Sequence, residues 1–447
     1  MFQLALTSVA SQRSPEAFAR YRETALEALS TIDGNRPGYL TTLDKGLWDL
    51  TVDTAARVAP PSKIVILGIG GSALGARTLA DALTPELRDK LVVLDNVDPH
   101  TITSAISDDE LGNTLFIAIS KSGSTAETTA QLLYFRQRLL AAGHEDWASR
   151  FIAITDPEKG ALRELVEREG LLSLPVPSDV GGRFSVLTPV GLLPAQLLGI
   201  DGGELVEGAR RVRDSIFDNL EGDAAGALAD LVATHATLSL DHGQPIQVML
   251  SYCDRLGTFG DWYCQLWAES LGKKHDLTGK VVHRGSTPIG AVGATDQHSL
   301  VQLFRDGPDD KQYWILSVDE TGDPAAIENS AAEVHSDFDY LGGTSIDDLF
   351  RAERHGTAAA LRAAGRPVTE LTLDRLDAAS LGGLFLWFEL ATSVAGALYD
   401  VDPYDQPGVE AGKIAAFALM KRAGYEEKAR EILEAAKSDQ PRNVTIN

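Results

Sequence analysis

Short apolar runs alternate with helix-spaced stretches through much of the chain. Residues 63–67, 91–94, 115–119 and 151–154 are rich in Val, Ile, Leu and Phe, and each run empties into Gly, Asp, Ser or Thr. Helix-compatible sequence lies between them. Runs without polar alternation predict strands buried on both faces, and this rhythm predicts a parallel sheet covered by helices. A second cycle begins at residues 246–250 (IQVML), turns at 254–257, continues as a helix from about 258 to 271 and returns as a strand at 313–318. Residues 204–240 read as a helical connector, and 15–30 show helical spacing within a mostly helical section that Pro60-Pro61 closes. Apolar helical patterns at 382–398 and 412–435 are split by Asp402-Pro403 and Gln406-Pro407. No apolar run approaches the roughly 20 residues that a bilayer span needs.

The expected organisation is therefore an N-terminal helical segment (1–60), a first α/β domain (61–203), a second with its helical connector (204–400) and a C-terminal helical arm (401–447). A chain of 447 residues is too long for one small core. Its formal charge of −24 argues against nucleic acid or an anionic membrane surface as the main partner, yet a small anionic substrate fits a locally positive site. Cys253 and Cys264 supply no disulfide framework, and residues 1–12 lack a basic region ahead of a long apolar core. Both features suit a cytoplasmic chain.

The richest chemistry lies at residues 116–131, FIAISKSGSTAETTAQ. A buried strand breaks there into Ser120, Ser122, Ser124, Thr125, Thr128 and Thr129, and a helix follows. Free backbone N–H groups, the positive end of the helix dipole and short hydroxyls together make an anion site, to which Lys121 can add charge. The plainer alternative is a well-capped helix, since Ser124 and Glu127 have capping-box spacing. Residues 68–75, GIGGSALG, directly follow the first strand and satisfy G-x-G-x-x-A at Gly68, Gly70 and Ala73, with Asp95 ending the second strand. A nicotinamide dehydrogenase is thus a rival reading. A dinucleotide site has no use for a second, hydroxyl-rich anion loop two strands later, so Ser72 and the 120–128 loop favour one phosphate on a polar sugar body.

Further groups could react. Gly181 and Gly182 allow unusual backbone angles beside Arg183, whose planar donors suit an oxyanion, although a structural ion pair is equally open. Gln265 and Glu269 lie one turn apart on one helix face among Trp262, Leu266 and Trp267. A carboxylate against apolar surface gains basicity; the alternative is a solvated Glu269 paired with Lys273. His298 follows a glycine-bearing loop in GATDQHSLVQL, and Lys413 ends QPGVEAGK, where a solvated helix position is the ordinary expectation. No two histidines have H-x-x-x-H spacing, and nothing else resembles a metal site.

In combination, GIGGSALG, ISKSGSTAET, GGRFS, the glutamate of AESLGKK with QHS downstream, and QPGVEAGK resemble the glucose-6-phosphate isomerase family in order across residues 68–413. The resemblance implies two sugar-isomerase (SIS) domains, each a parallel sheet flanked by helices, and a C-terminal helical arm. It implies a homodimer with a shared active site and no metal or nucleotide cofactor. Ser120, Lys121, Ser122, Thr125 and Thr128 would hold the phosphate of a hexose 6-phosphate. Gly71, Ser72 and Gly182 would approach the sugar, with Gln265 and Gln406 assisting. Glu269 would move a proton between C2 and C1, Arg183 would stabilise the enediolate, and His298 (from the neighbouring subunit) and Lys413 would open the ring. Ala73, Gly123 and Asp296 are the noticeable departures, and none removes a group the chemistry needs.

Overall fold

The computed structural model describes residues 1–320 and 322–438; residues 439–447 of the expected C-terminal arm lie outside the described residues. Strand β1 (Phe2–Ala5) comes first, followed by helix Pro15–Gly34. The first sheet is built from β2 (Lys63–Leu67), β3 (Leu91–Leu94), β4 (Thr114–Ser120), β5 (Phe151–Thr155) and β6 (Leu172–Pro175). Its order is β3-β2-β4-β5-β6 and every pairing is parallel. Every residue of β4 and β5 is buried, so unbroken apolar runs mark these strands because water reaches neither face.

The second cycle supplies β7 (Ile246–Tyr252), a hairpin of β8 (Lys273–His275) and β9 (Val281–Arg284), then β10 (Thr287–Val292), β11 (Lys311–Glu320) and β12 (Val368–Arg375). The sheet runs β1-β12-β11-β7-β10. It is parallel except at its edge, where β1 pairs antiparallel with β12. The N-terminal section is therefore not only helical: its first residues complete a sheet formed mostly after residue 245.

Alternate residues of β2 face different cores. Val65 and Leu67 join Phe116, Phe135 and Phe151 on the outer face, whereas Ile64 and Ile66 join a core that reaches Trp262, Phe385 and Phe388. That shared core ties the two sheets into one body. At its centre lies helix Ala378–Tyr399, whose Phe385 meets Trp262 edge-on at 4.6 Å. This helix corrects the expectation from run length, since its 22 residues are long and apolar enough to cross a membrane, but its apolar window is 94% buried inside the protein. Isolated polar residues hid it. One is Glu389, whose carboxyl burial pushes well above the usual range. The expected helix 412–435 is also two helices, Pro407–Leu419 and Glu426–Ser438, divided where Lys421 and Gly424 turn left-handed.

Helix Gly257–Leu271 is held from below by a buried polar cluster. His235 is bonded by the Gln247 side chain, lies 2.9 Å from the Tyr399 hydroxyl and 3.3 Å from Ser286 Oγ. Tyr263 donates to Gln247, and Trp267 Nε1 donates to Ser286 Oγ at 2.7 Å. Burial pushes the His235 imidazole down to about 3. The folded state therefore holds it neutral where an unfolded chain, with a value of about 6.5, takes a proton. Stability from this group is present above about pH 6.5 and is lost as pH falls toward 3, because the unfolded state then binds more protons. His235→Gln should flatten the fall in unfolding temperature between about pH 6.5 and 4. An equally steep fall in that variant would remove His235 as the cause.

Candidate active site

In the first sheet β3 and β4 flank β2 on opposite sides, so the chain changes its direction of growth there. The crevice outside the carboxyl ends of such strands is where open parallel sheets bind ligands. The glycine loop after β2 and the hydroxyl loop after β4 both open into it.

Ser120 ends β4 and is buried, and its Oγ lies 2.8 Å from Thr125 Oγ1. Gly123 closes the turn by donating to the Ser120 carbonyl at 3.1 Å, with φ of +67° that disfavours any other residue. Helix Ala126–Ala141 starts after Thr125, and no side chain caps it. The capping box open to Ser124 and Glu127 does not form; Ser124 instead sits 3.5 Å from Ser122 Oγ. First-turn N–H groups are thus left for an anion. Thr128 is buried, with its hydroxyl 3.5 Å from the Ile119 carbonyl. Lys121 turns away from the loop and donates to the carbonyls of Ser178 and Val180 at 2.7 and 2.8 Å. Burial lowers its pKa, partly offset by Asp156 and Asp179.

Those carbonyls precede Gly181-Gly182-Arg183, which packs directly on the glycine loop. A Cβ on Gly71 would collide with the backbone of Gly182, and one on Gly70 would lie 2.8 Å from Gln265 Nε2. Arg183 is 2% exposed. Its Nε donates to Ser270 Oγ at 2.7 Å, Nη1 donates to Gln406 Oε1, and Nη2 donates to the carbonyls of Pro403 and Asp405 at 2.6 and 2.9 Å. Burial lowers its pKa, and the charge of Glu269 acts the other way. Glu269 Oε2 stands 3.7 Å from Arg183 Nη1 and accepts from Gln265 Nε2 at 3.2 Å. The side chain of Lys273 goes elsewhere, to the Glu269 and Asp405 carbonyls at 3.0 and 2.7 Å and the Asp405 carboxylate at 3.1 Å. The Glu269 carboxylate is thus not the partner of that ammonium. Gln265 Oε1 is buried without a partner, an acceptor available to a hydroxyl.

The structure therefore gathers Gly71, Gly182, Arg183, Gln265, Glu269 and Gln406 at one point, with Ser72 in the short turn before helix Leu74–Leu83. His298 is exposed after β10 and makes no side-chain hydrogen bond among the described residues. Lys413 is exposed on helix Pro407–Leu419 and pairs with Glu410 at 2.9 Å. Neither reaches Glu269 in this chain. Ser270 and Asp405 join the site without having been picked out from sequence, their adjacency to Glu269 and Gln406 being the available signal; Lys273, read from sequence only as a possible partner of the Glu269 carboxylate, joins it through Asp405 instead. Asp95, the acid of the dinucleotide reading, pairs with Arg77 at 2.9 Å, and the loop glycines receive protein rather than pyrophosphate.

The family profile described as phosphoglucose isomerase matches residues 41–437. A glucose-6-phosphate isomerase of Rubrobacter xylanophilus is 40% identical over 410 residues, covering 89% of this chain and 92% of that protein. Among solved structures, a hypothetical protein from Thermus thermophilus has a TM-score of 0.80 at 35% identity, over 94% of this chain and 100% of that one. A glucose-6-phosphate isomerase from Chlamydia trachomatis has a TM-score of 0.70 at 21% identity over 89% and 77% of the two chains, a likeness of fold. The class defined is an isomerase built on two α/β sheets. Within that class, the chain belongs to the phosphoglucose isomerase family.

An ammonium lacks the planar fork needed to serve Ser270, Gln406 and two carbonyls together. Arg183→Lys should cost about 3 kcal/mol of unfolding free energy, as when a buried charge loses its partners. It should also open residues 401–407 to protease. Unchanged stability and cleavage would show that the guanidinium does not tie these segments.

Proposed function

We propose that this protein interconverts glucose 6-phosphate and fructose 6-phosphate through ring opening and a cis-enediol(ate), in glycolysis and gluconeogenesis. The observation that carries the reading is a cleft in which Glu269 and the buried Arg183 stand 3.7 Å apart beside an uncapped, hydroxyl-rich helix start. The phosphate sits on Ser120, Ser122, Thr125 and Thr128 and the free N–H groups, far from the reacting carbons. Its binding energy holds the opened chain in register. Gln265 Oε1 accepts from a sugar hydroxyl. Glu269 takes the proton from C2 and returns it to C1 on the same face of the planar intermediate, while Arg183, charged at every relevant pH, stabilises the developing oxyanion.

Ring opening needs proton exchange at the ring oxygen and its hydroxyl, which a histidine and a lysine perform, each adding about 10²–10⁴-fold. His298, exposed and with no side-chain hydrogen bond among the described residues, serves the site of a second copy. Lys413, about 10 Å along the helix axis from Gln406, is the second group of this exchange. Two unpaired cysteines support a reducing, cytoplasmic setting.

Glu269→Gln should leave substrate affinity within a few-fold and abolish exchange of the C2 hydrogen with solvent, followed by NMR in D₂O. Exchange retained in that variant would rule out Glu269 as the base. Ser120→Ala combined with Thr125→Ala should raise KM about ten-fold, the loss of roughly one charge-assisted hydrogen bond, in a coupled fructose 6-phosphate assay. A KM equal to that of the unaltered protein moves the phosphate elsewhere.

A further inference from the structure

A phosphate carrying close to two negative charges, on a protein of net charge −24, needs a local cation. The lysine inside the loop is committed: Lys121 has two of its donors on the Ser178 and Val180 carbonyls. Arg183 is committed as well, to Ser270, Gln406 and the 403–405 backbone. The helix N-terminus supplies only about half a charge.

Arg422 lines a cavity of about 460 Å³ together with Ser120, Gly123, Ser124 and Thr128, and much of the remaining lining is apolar, including Leu162, Leu165 and Phe417. The chain reaches it through left-handed Lys421 and an Arg422 N–H that donates to the Phe417 carbonyl at 3.0 Å, which folds the segment back over the helix end. Its guanidinium lies 4.4 Å from the centre of the Phe417 ring and 6.0 Å from that of Tyr425. Stacking of this kind orients a guanidinium without using its N–H groups. Among the described residues that guanidinium has no hydrogen bond and no carboxylate partner, so its planar donor fork is free to meet phosphate oxygens.

We propose that Arg422 is a ligand of the substrate phosphate, clasping it together with the 120–128 loop. Phe417 and Arg422 both lie in the C-terminal segment, so phosphate binding also seats that segment against the first sheet. The proposal rests on the assignment of the 120–128 loop as the phosphate site.

The test measures binding of inorganic phosphate by calorimetry and, separately, KM for fructose 6-phosphate, in the full chain with Arg422→Gln and Arg422→Lys. Arg422→Gln should weaken phosphate binding and raise KM by about ten-fold, equivalent to ~1.4 kcal/mol, and flatten the dependence of both on salt. Arg422→Lys should recover part of the loss, because a point charge replaces a fork. Phosphate affinity unchanged in Arg422→Gln overturns the proposal, even with full isomerase turnover. Phosphate binding that depends on Arg422 in a protein without hexose phosphate turnover upholds the clasp and overturns the isomerase reading.

Discussion

The site is organised around one buried charge. Taking a guanidinium out of water carries a penalty of several kcal/mol, so Arg183 persists only where neighbours answer its donors. Those neighbours come from distant parts of the chain: Ser270 and Glu269 on helix Gly257–Leu271, and Pro403, Asp405 and Gln406 before the C-terminal helix. Lys273 reinforces the same junction through Asp405. A single side chain after the first sheet thereby fixes the second cycle and the C-terminal segment relative to it. The low dielectric that makes the charge costly also strengthens its field at Glu269 and at any oxyanion nearby.

The hydroxyl loop is joined to this junction by contacts rather than by proximity alone. Lys121 ties it to the Ser178 and Val180 carbonyls, and the next residues are Gly181, Gly182 and Arg183. Gly71 then presses against Gly182, an approach that no side chain would permit. Displacing the hydroxyl loop therefore displaces the arginine loop. Backbone contact explains why the glycine segment imitates a dinucleotide fingerprint: a turn that must let another main chain come close needs glycine as much as one that must admit a pyrophosphate.

How much of this the sequence discloses depends on the range of the interaction. The uniformly buried β4 and β5 are legible because their composition reports two dry faces. Helix Pro15–Gly34 and helix Gly257–Leu271 are legible from spacing. β1 is not, because four residues acquire strand character only by pairing Phe2 with Leu373 and Leu4 with Leu371. β10 is obscured by Pro288 and Gly290, which a strand tolerates at this sheet edge. In the site, residue types were readable and their directions were not. Lys121 sits in the hydroxyl loop but points to backbone carbonyls; Lys273 has the spacing to pair with the Glu269 carboxylate but reaches Asp405. Long side chains choose among partners brought by the fold, and local spacing cannot rank those partners.

The uncapped helix start shows how stability and function compete within one segment. Ser124 and Glu127 stand where a capping box would add about 1 kcal/mol, yet the helix begins at Ala126 with no side chain on its first N–H groups. The Ser120–Thr125 contact holds Thr125 Oγ1 against Ser120 instead of against the helix. With the proposed phosphate at this loop, a cap formed by the chain itself would occupy the donors the anion needs, so each increment of intrinsic stability there would be an increment of competition with the ligand. On that proposal, leaving the donors open transfers the stabilisation to the bound state.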